Sequence, residues 1–256
     1  MPMTNADTMP RTGTAEATAL RPCTVCRGRS FRPLAQDAGY DWEICNECGF
    51  VRLSAELSMD DEIALQDADA AAGYIAGYTN KLDKKLARCR QRLRLITRHV
   101  PRGRFLDVGS NYGFMTETAG LAGFDATGLE INPGLVAHAR KTYPQRRFVS
   151  SPLETFNANG ESFDAVYCSE VIEHVIDPRR FLEALAATMR SGAVLLLTTP
   201  HIREYRRRGY TKMQAPDHKV YFSNATLRRL MQECGFQRIR FRLNPFKGIV
   251  VTAFKA

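Results

Sequence analysis

The chain has 256 residues, of which 44% are hydrophobic, and a formal net charge of +9. That length suffices for one full α/β domain and a small extra module, and no apolar run reaches the ~18 to 20 residues of a membrane span. The basic balance fits either a solvated cationic surface or an anionic partner such as RNA or a nucleotide-linked substrate.

Residues 1–20 are rich in Thr and Ala and lack a continuous apolar stretch, so they read as a disordered tail and not as a secretory leader. The expected compartment is cytoplasmic. Residues 21–53 hold four of the seven cysteines in two pairs, Cys23-Thr24-Val25-Cys26 and Cys45-Asn46-Glu47-Cys48, separated by 18 residues. Each pair is followed by a glycine-containing turn, Arg27-Gly28 and Gly49. A CxxC turn points two sulfurs at one ion, and two such turns complete a tetrahedral thiolate set, so Cys23, Cys26, Cys45 and Cys48 read as the ligands of a zinc ribbon, with a [4Fe–4S] cluster or a redox role as the alternative. Four cysteines leave no open position, which makes the zinc structural. A ribbon that also touches substrate or nucleic acid is the functional alternative. Cys89, Cys168 and Cys234 are isolated and read as core thiols.

Residues 54–80 are acidic and alanine-rich, a linker or cap in which Tyr74 and Tyr78 lie four apart. From residue 81 the pattern is helical: Leu82, Leu86, Leu93 and Ile96 form a stripe, flanked by Arg88, Arg90, Arg92, Arg94 and Arg98. These arginines read as a solvated face, or as a surface turned to an anion. Beyond, strands are expected over 104–108, 125–130, 147–150, 163–169 and 193–199. Helices are expected over 114–121, 133–142, 179–189 and 223–234. The chain closes on two strands, 238–243 and 249–254, joined by a turn at Asn244-Pro245. This alternation predicts an α/β fold with a Rossmann-like, mostly parallel seven-stranded sheet and an antiparallel C-terminal hairpin, beside the small N-terminal ribbon.

Phe105-Leu106-Asp107-Val108-Gly109-Ser110-Asn111-Tyr112-Gly113 is a buried strand running into a glycine turn and a helix, and a second strand ends at Glu130, 23 positions after Asp107. Backbone against a cofactor and a carboxylate on ribose hydroxyls are how such folds hold a nucleoside. A nicotinamide site, with G-x-G-x-x-G counted from Gly109, would want its second glycine at Asn111; asparagine still tolerates a left-handed turn.

Over residues 82–256 the sequence resembles the class I S-adenosylmethionine-dependent methyltransferases. LDVGSNYG is similar to their first motif, Glu130 to the ribose-binding acid, Phe163 to Glu170 to the fourth strand, and Ser191-Gly192 with 193–200 to a turn and fifth strand. The resemblance implies a cofactor site built from Asp107, Gly109, Ser110, Asn111, Gly113, Glu130, Ile131, Leu153 and Ser169, with the Leu153-Glu154 segment near the adenine.

The stretch Glu170-Val171-Ile172-Glu173-His174 follows the fourth strand, and Asp217-His218-Lys219 precedes the last helix. In a helix, Glu170, Glu173 and His174 would project to one side. The pattern resembles the ubiquinone-pathway O-methyltransferases and the small-RNA 2′-O-methyltransferases. That resemblance implies two roles: His174, His218 and Glu170 as catalytic groups, or Glu170, Glu173, His174 and His218 as ligands of a magnesium-class ion. Purely structural polar contacts are the third reading. A hydroxyl acceptor gains from a base that takes its proton, which favours O-methylation of a small molecule or glycan intermediate. An RNA acceptor and a non-catalytic binding module are the alternatives. Arg203, Arg206, Arg207 and Arg208 lie in an insertion that would wall the acceptor side or simply face water.

Overall fold

The computed structural model describes residues 21–55, 82–156, 160, 162–242 and 248–256. The expected N-terminal tail, most of the 54–80 linker with Tyr74 and Tyr78, and the Asn244-Pro245 turn lie outside the described residues.

In chain order, three strands come first: β1 (Phe31–Asp37), β2 (Tyr40–Cys45) and β3 (Val51–Leu53). Helix α1 (Leu82–Thr97) leads into β4 (Gly103–Val108), α2 (Phe114–Leu121), β5 (Phe124–Glu130), α3 (Pro133–Thr142) and β6 (Arg147–Ser150). A 3-10 turn at Leu153–Thr155 precedes β7 (Phe163–Ser169), α4 (Pro178–Ala187) and β8 (Met189–Thr199). The chain ends with α5 (Ile202–Arg207), β9 (Val220–Tyr221), α6 (Asn224–Glu233), β10 (Phe236–Phe241) and β11 (Ile249–Lys255).

Seven strands form one sheet in the order β10-β11-β8-β7-β4-β5-β6. Strands β4 to β8 pair in parallel, and β11 runs antiparallel to both β8 and β10. The strand order reverses between β4 and β7, which opens a crevice at the carboxyl ends of these strands. Central strands buried on both faces explain the near-continuous apolar runs of β7 and β8. One face, with Leu106, Val108, Val166 and Leu195, packs on Phe181 and Leu185 of α4 and Leu227 of α6. The alternate residues Phe105, Ala165, Val194 and Leu196 pack on Leu93 and Ile96 of α1 and Met115 of α2. Leu82, expected in that α1 stripe, is exposed.

The helices start where the sequence says they can. Asn132 and Asp177 cap α3 and α4 by accepting from the next amides, with Pro133 and Pro178 in the first turn. Ser223 caps α6 with Thr226 answering in a capping box. Strand β8 begins four residues earlier than expected, so Ser191-Gly192 lies inside it. The register against β7 slips between Phe163 and Ala165, and Gly192 has φ +77°. A bulge there lets the strand extend where a plain turn was predicted.

The cysteine-bearing segment forms a second antiparallel sheet in the order β1-β2-β3-β9. Its last strand comes from the insertion between β8 and α6. Cys23, Val25, Cys45 and Phe50 belong to the same core as Phe181 and Phe222. Among the described residues no helix is long and apolar enough to cross a membrane.

Candidate active site

A cavity of about 1020 Å³ lies over the carboxyl ends of the parallel strands. Its floor is the turn after β4. Gly109 has φ +70°, and a Cβ there would sit 2.4 Å from Val171 Cγ2, so only glycine fits. Asn111 adopts φ +49°, the left-handed conformation anticipated for it. Its backbone N–H donates to Glu130 Oε2 at 2.9 Å, and Asn132 N–H donates to Oε1 at 3.1 Å. Burial raises the Glu130 carboxyl above its usual range, against the pull of those amides. Asp107 is buried more completely. Its Oδ2 accepts from the Thr116 N–H (3.0 Å) and Oγ1 (2.8 Å), yet burial pushes its pKa up to about 7. Ser110 Oγ is buried with no hydrogen-bond partner.

Asp107, Gly109, Ser110 and Asn111 all line the cavity, as do Glu130, Ile131, Leu153 and Ser169. Gly113 does not line the cavity. Its φ is +80° at the start of α2, and a Cβ would meet Phe148 at 2.7 Å and Tyr143 at 3.2 Å. It is required for the turn and for helix–sheet packing.

Arg92 is the residue sequence reasoning missed. It lay in a row of helical arginines with nothing to single it out. From α1 its Nη1 donates to Tyr167 Oη (2.6 Å) and Ser169 Oγ (2.7 Å) inside the cavity. Thr198 Oγ1 donates to Glu170 Oε1 at 2.6 Å, so the 2.8 Å contact between Ser169 Oγ and Thr198 Oγ1 is donated by serine. A single chain of hydrogen bonds thus runs from Arg92 through Ser169 and Thr198 to Glu170. None of Arg203, Arg206, Arg207 and Arg208 lines the cavity; all four are exposed.

The segment after β7 is a tight turn, not the helix considered above. Glu170 has φ +55°, and its N–H donates to the Thr198 carbonyl. The turn brings Glu170 to Thr198 of β8 and Glu173 to the neighbouring Thr199, and Glu170 is not part of the cluster that Glu173 forms with His174 and His218. Glu173, His174 and His218 each present one donor atom within 4.8 Å of the others. Glu173 is fully buried. Its Oε2 accepts from Thr199 Oγ1 at 2.8 Å, while Oε1 has no hydrogen-bond partner and lies 3.9 Å from His174 Nε2. Burial pushes the Glu173 pKa up to about 8, with Glu170 adding to the shift.

The imidazoles are held by their Nδ1 atoms. His174 Nδ1 faces two acceptors, Asp217 Oδ1 at 2.8 Å and the Asp217 carbonyl at 3.1 Å, so it carries the proton and Nε2 is the basic nitrogen. Burial opposes protonation of His174, but the Asp217 bond and the Glu173 charge outweigh it and raise the pKa. His218 meets His174 edge-to-face with ring centroids 4.7 Å apart. Burial and the charge of His174 lower its pKa to about 4. The cluster's two imidazoles and one carboxylate do not suit magnesium, which asks for an octahedron of oxygen ligands.

The four N-terminal thiols converge as the spacing predicts. Cys23 Sγ lies 3.6 Å from Cys48 Sγ and Cys26 Sγ 3.5 Å from Cys45 Sγ, with one sulfur of each residue within 4.8 Å of the others. Arg27 and Gly49, each one residue past its pair, both turn left-handed (φ +65° and +77°). Their amides donate to the Cys23 and Cys45 carbonyls, closing the two knuckles alike.

Residues 78–240 match the methyltransferase domain family. The chain belongs to that family. Among curated relatives, the ubiquinone biosynthesis O-methyltransferase of Xanthomonas campestris pv. campestris is 33% identical over 105 residues, 39% of this chain and 44% of the relative. The enzyme of the same name from Coxiella burnetii is 28% identical over 113 residues, 43% of this chain and 46% of the relative. This methyltransferase chain therefore matches less than half the length of those relatives. Among solved structures, the Burkholderia thailandensis 1,6-didemethyltoxoflavin-N1-methyltransferase, with S-adenosylhomocysteine bound, has a TM-score of 0.59 at 18% identity, covering 88% of this chain and 99% of that one. The amino pentose methyltransferase CalS10 of Micromonospora echinaspora, with S-adenosylmethionine bound, gives 0.53 at 17%, covering 72% and 96%. At these identities the likeness establishes the fold. The cavity residues fit the cofactor seen in those folds. Each Glu130 oxygen keeps a lone pair for a ribose hydroxyl, Ser110 Oγ lacks a partner, and Asp107 and Arg92 offer opposite charges to an amino acid moiety.

Proposed function

We propose that this methyltransferase moves the methyl group of S-adenosylmethionine to a hydroxyl oxygen of a small molecule or glycan intermediate. One observation carries the choice of oxygen: His174 is locked by Asp217 with its basic Nε2 at the cavity, beside a second imidazole and the buried Glu173. A hydroxyl must lose its proton as it attacks, and a neutral amine has no such need before attack. The names of the curated relatives support the same class.

The bound cofactor supplies an activated sulfonium methyl, so the protein's task is alignment and proton removal. Glu130 would hold the ribose hydroxyls, and Leu153 and Ile131 would flank the adenine. Arg92 would meet the carboxylate of the methionine moiety and Asp107 its ammonium. His174 Nε2 takes the acceptor proton, and Asp217 stabilises the imidazolium that results. His218, neutral near pH 7, accepts a hydrogen bond from a second donor group of the acceptor, beside the reacting hydroxyl, and orients it. Zinc on Cys23, Cys26, Cys45 and Cys48 would fix the N-terminal sheet without touching the reaction, since four thiolates close its coordination.

His174→Ala should lower methyl transfer about 10²- to 10⁴-fold, the usual worth of a positioned base. S-adenosylhomocysteine affinity, read by calorimetry, should stay within about twofold. Full activity in the variant would refute the assignment of the base.

A further inference from the structure

The cysteine-bearing sheet meets the wall of the reaction cavity at β9. β3 pairs antiparallel with β9, with Val51 opposite Tyr221 and Arg52 opposite Val220, and the Leu53 N–H donates to the Lys219 carbonyl. Tyr221 is fully buried between Trp42 of β2, ring centroids 5.2 Å apart, and Tyr205 of α5, 4.4 Å apart. Its hydroxyl therefore stands at one fixed point. That hydroxyl has one proton, and it goes to the Met213 carbonyl at 2.5 Å, an atom that can only accept. The same oxygen lies 2.8 Å from His218 Nδ1. Two lone pairs cannot face each other at that distance, so Nδ1 must carry the proton of the neutral imidazole. Nε2 is left as a bare acceptor at the cavity.

We propose that Tyr221 is a positioning residue, held by the cysteine-bearing sheet, whose hydroxyl fixes the tautomer of His218 so that its Nε2 accepts from the methyl acceptor. The proposal rests on the active-site reading above for the role of His218. It gives the N-terminal sheet a part in the chemistry without any contact to substrate: the sheet sets where β9 lies, β9 sets Tyr221, and Tyr221 sets which nitrogen of His218 is basic. The tautomer and ring orientation of a histidine are settled by the bond its other nitrogen makes.

The test is long-range ¹H–¹⁵N correlation of the histidine rings near pH 7, with His218→Ala identifying the resonance. Wild-type protein should show the Nδ1-protonated form of His218 in at least about tenfold excess, the worth of one good hydrogen bond. Tyr221→Phe keeps the ring between Trp42 and Tyr205 and should convert this to a mixture or to the Nε2-protonated form. S-adenosylhomocysteine affinity should stay within about twofold. Cys23→Ser/Cys48→Ser, which opens the thiol cluster, should do the same to His218. An Nε2-protonated His218 in the wild-type protein would overturn the proposal whatever the variants do. An unchanged ring in Tyr221→Phe would remove the tyrosine, and an unchanged ring in the double variant would remove the sheet. His218→Ala that transfers methyl groups at the wild-type rate would instead sink the active-site reading, leaving the tautomer result intact.

Discussion

The site is built around carboxyls that burial keeps from ionising easily. Asp107 sits near pKa 7 and Glu173 near 8, both raised from the ordinary carboxyl range. A raised folded-state pKa means that the folded protein binds more protons than the unfolded chain between the two values. The stability each group contributes is complete below about pH 4 and is lost as pH rises through 7 and 8. The thermal midpoint of the ligand-free protein should therefore fall across that window, and Asp107→Asn should flatten the fall. An equally steep fall in the variant would remove Asp107 as its source. A cofactor ammonium beside Asp107 favours the ionised form, so binding should release a proton. S-adenosylhomocysteine affinity should accordingly tighten between pH 6 and 8 in wild type, and the trend should vanish in Asp107→Asn. Calorimetry in buffers of different ionisation enthalpy reads both. At this scale the turn after β4 and the acid at the tip of β5 were legible, because a left-handed turn and a strand-tip acid need particular residue types at particular spacings. Arg92 was not legible: only the packing of α1 over β7 distinguishes it from its arginine neighbours.

Among the elements, the turn after β7 shows where a one-dimensional pattern misleads. Spacing alone puts Glu170, Glu173 and His174 on one helical face. The left-handed Glu170 instead breaks the chain direction, and Thr198 and Thr199 of β8 each take one of the two glutamates. Those threonines are distant in sequence and gave no signal. Glu173→Gln preserves the bond from Thr199 and mimics the protonated acid. It should leave stability unchanged below pH 7 and raise it at pH 9, measured by urea unfolding; a loss of stability at pH 6 would contradict the protonated assignment. Strand β9 was invisible for a similar reason. Two residues carry no periodicity, and its partner β3 lies about 170 positions earlier.

For the molecule as a whole, the boundary between N-terminal module and methyltransferase domain is clearer in the sequence than in the packing. Phe50 packs against Phe222, ring centroids 5.3 Å apart and tilted by 47°, within a core that also holds Phe181 and Leu227. Phe50→Ala should cost about 3–5 kcal/mol and lower a single unfolding transition, because its cavity opens in the shared core. Two transitions, with only the first shifted, would show that the sheets unfold apart. Zinc should be found at about one per chain, and Cys23→Ser should lose it. The strands of the seven-stranded sheet were legible, since its central strands, buried on both faces, write near-continuous apolar runs into the sequence, while the start of β8 and the half-exposed edge strands β6 and β10 carry weaker signals.

The reaction is read most directly by transfer of labelled methyl from S-adenosylmethionine to fractionated cell extract, with and without ribonuclease, by wild-type protein and His174→Ala. Label should appear in a low-molecular-weight or glycan fraction, insensitive to ribonuclease, in an oxygen-linked methyl group, and at least about a hundredfold lower with the variant. Label confined to RNA, label on nitrogen, or equal transfer by His174→Ala would contradict the proposed reaction.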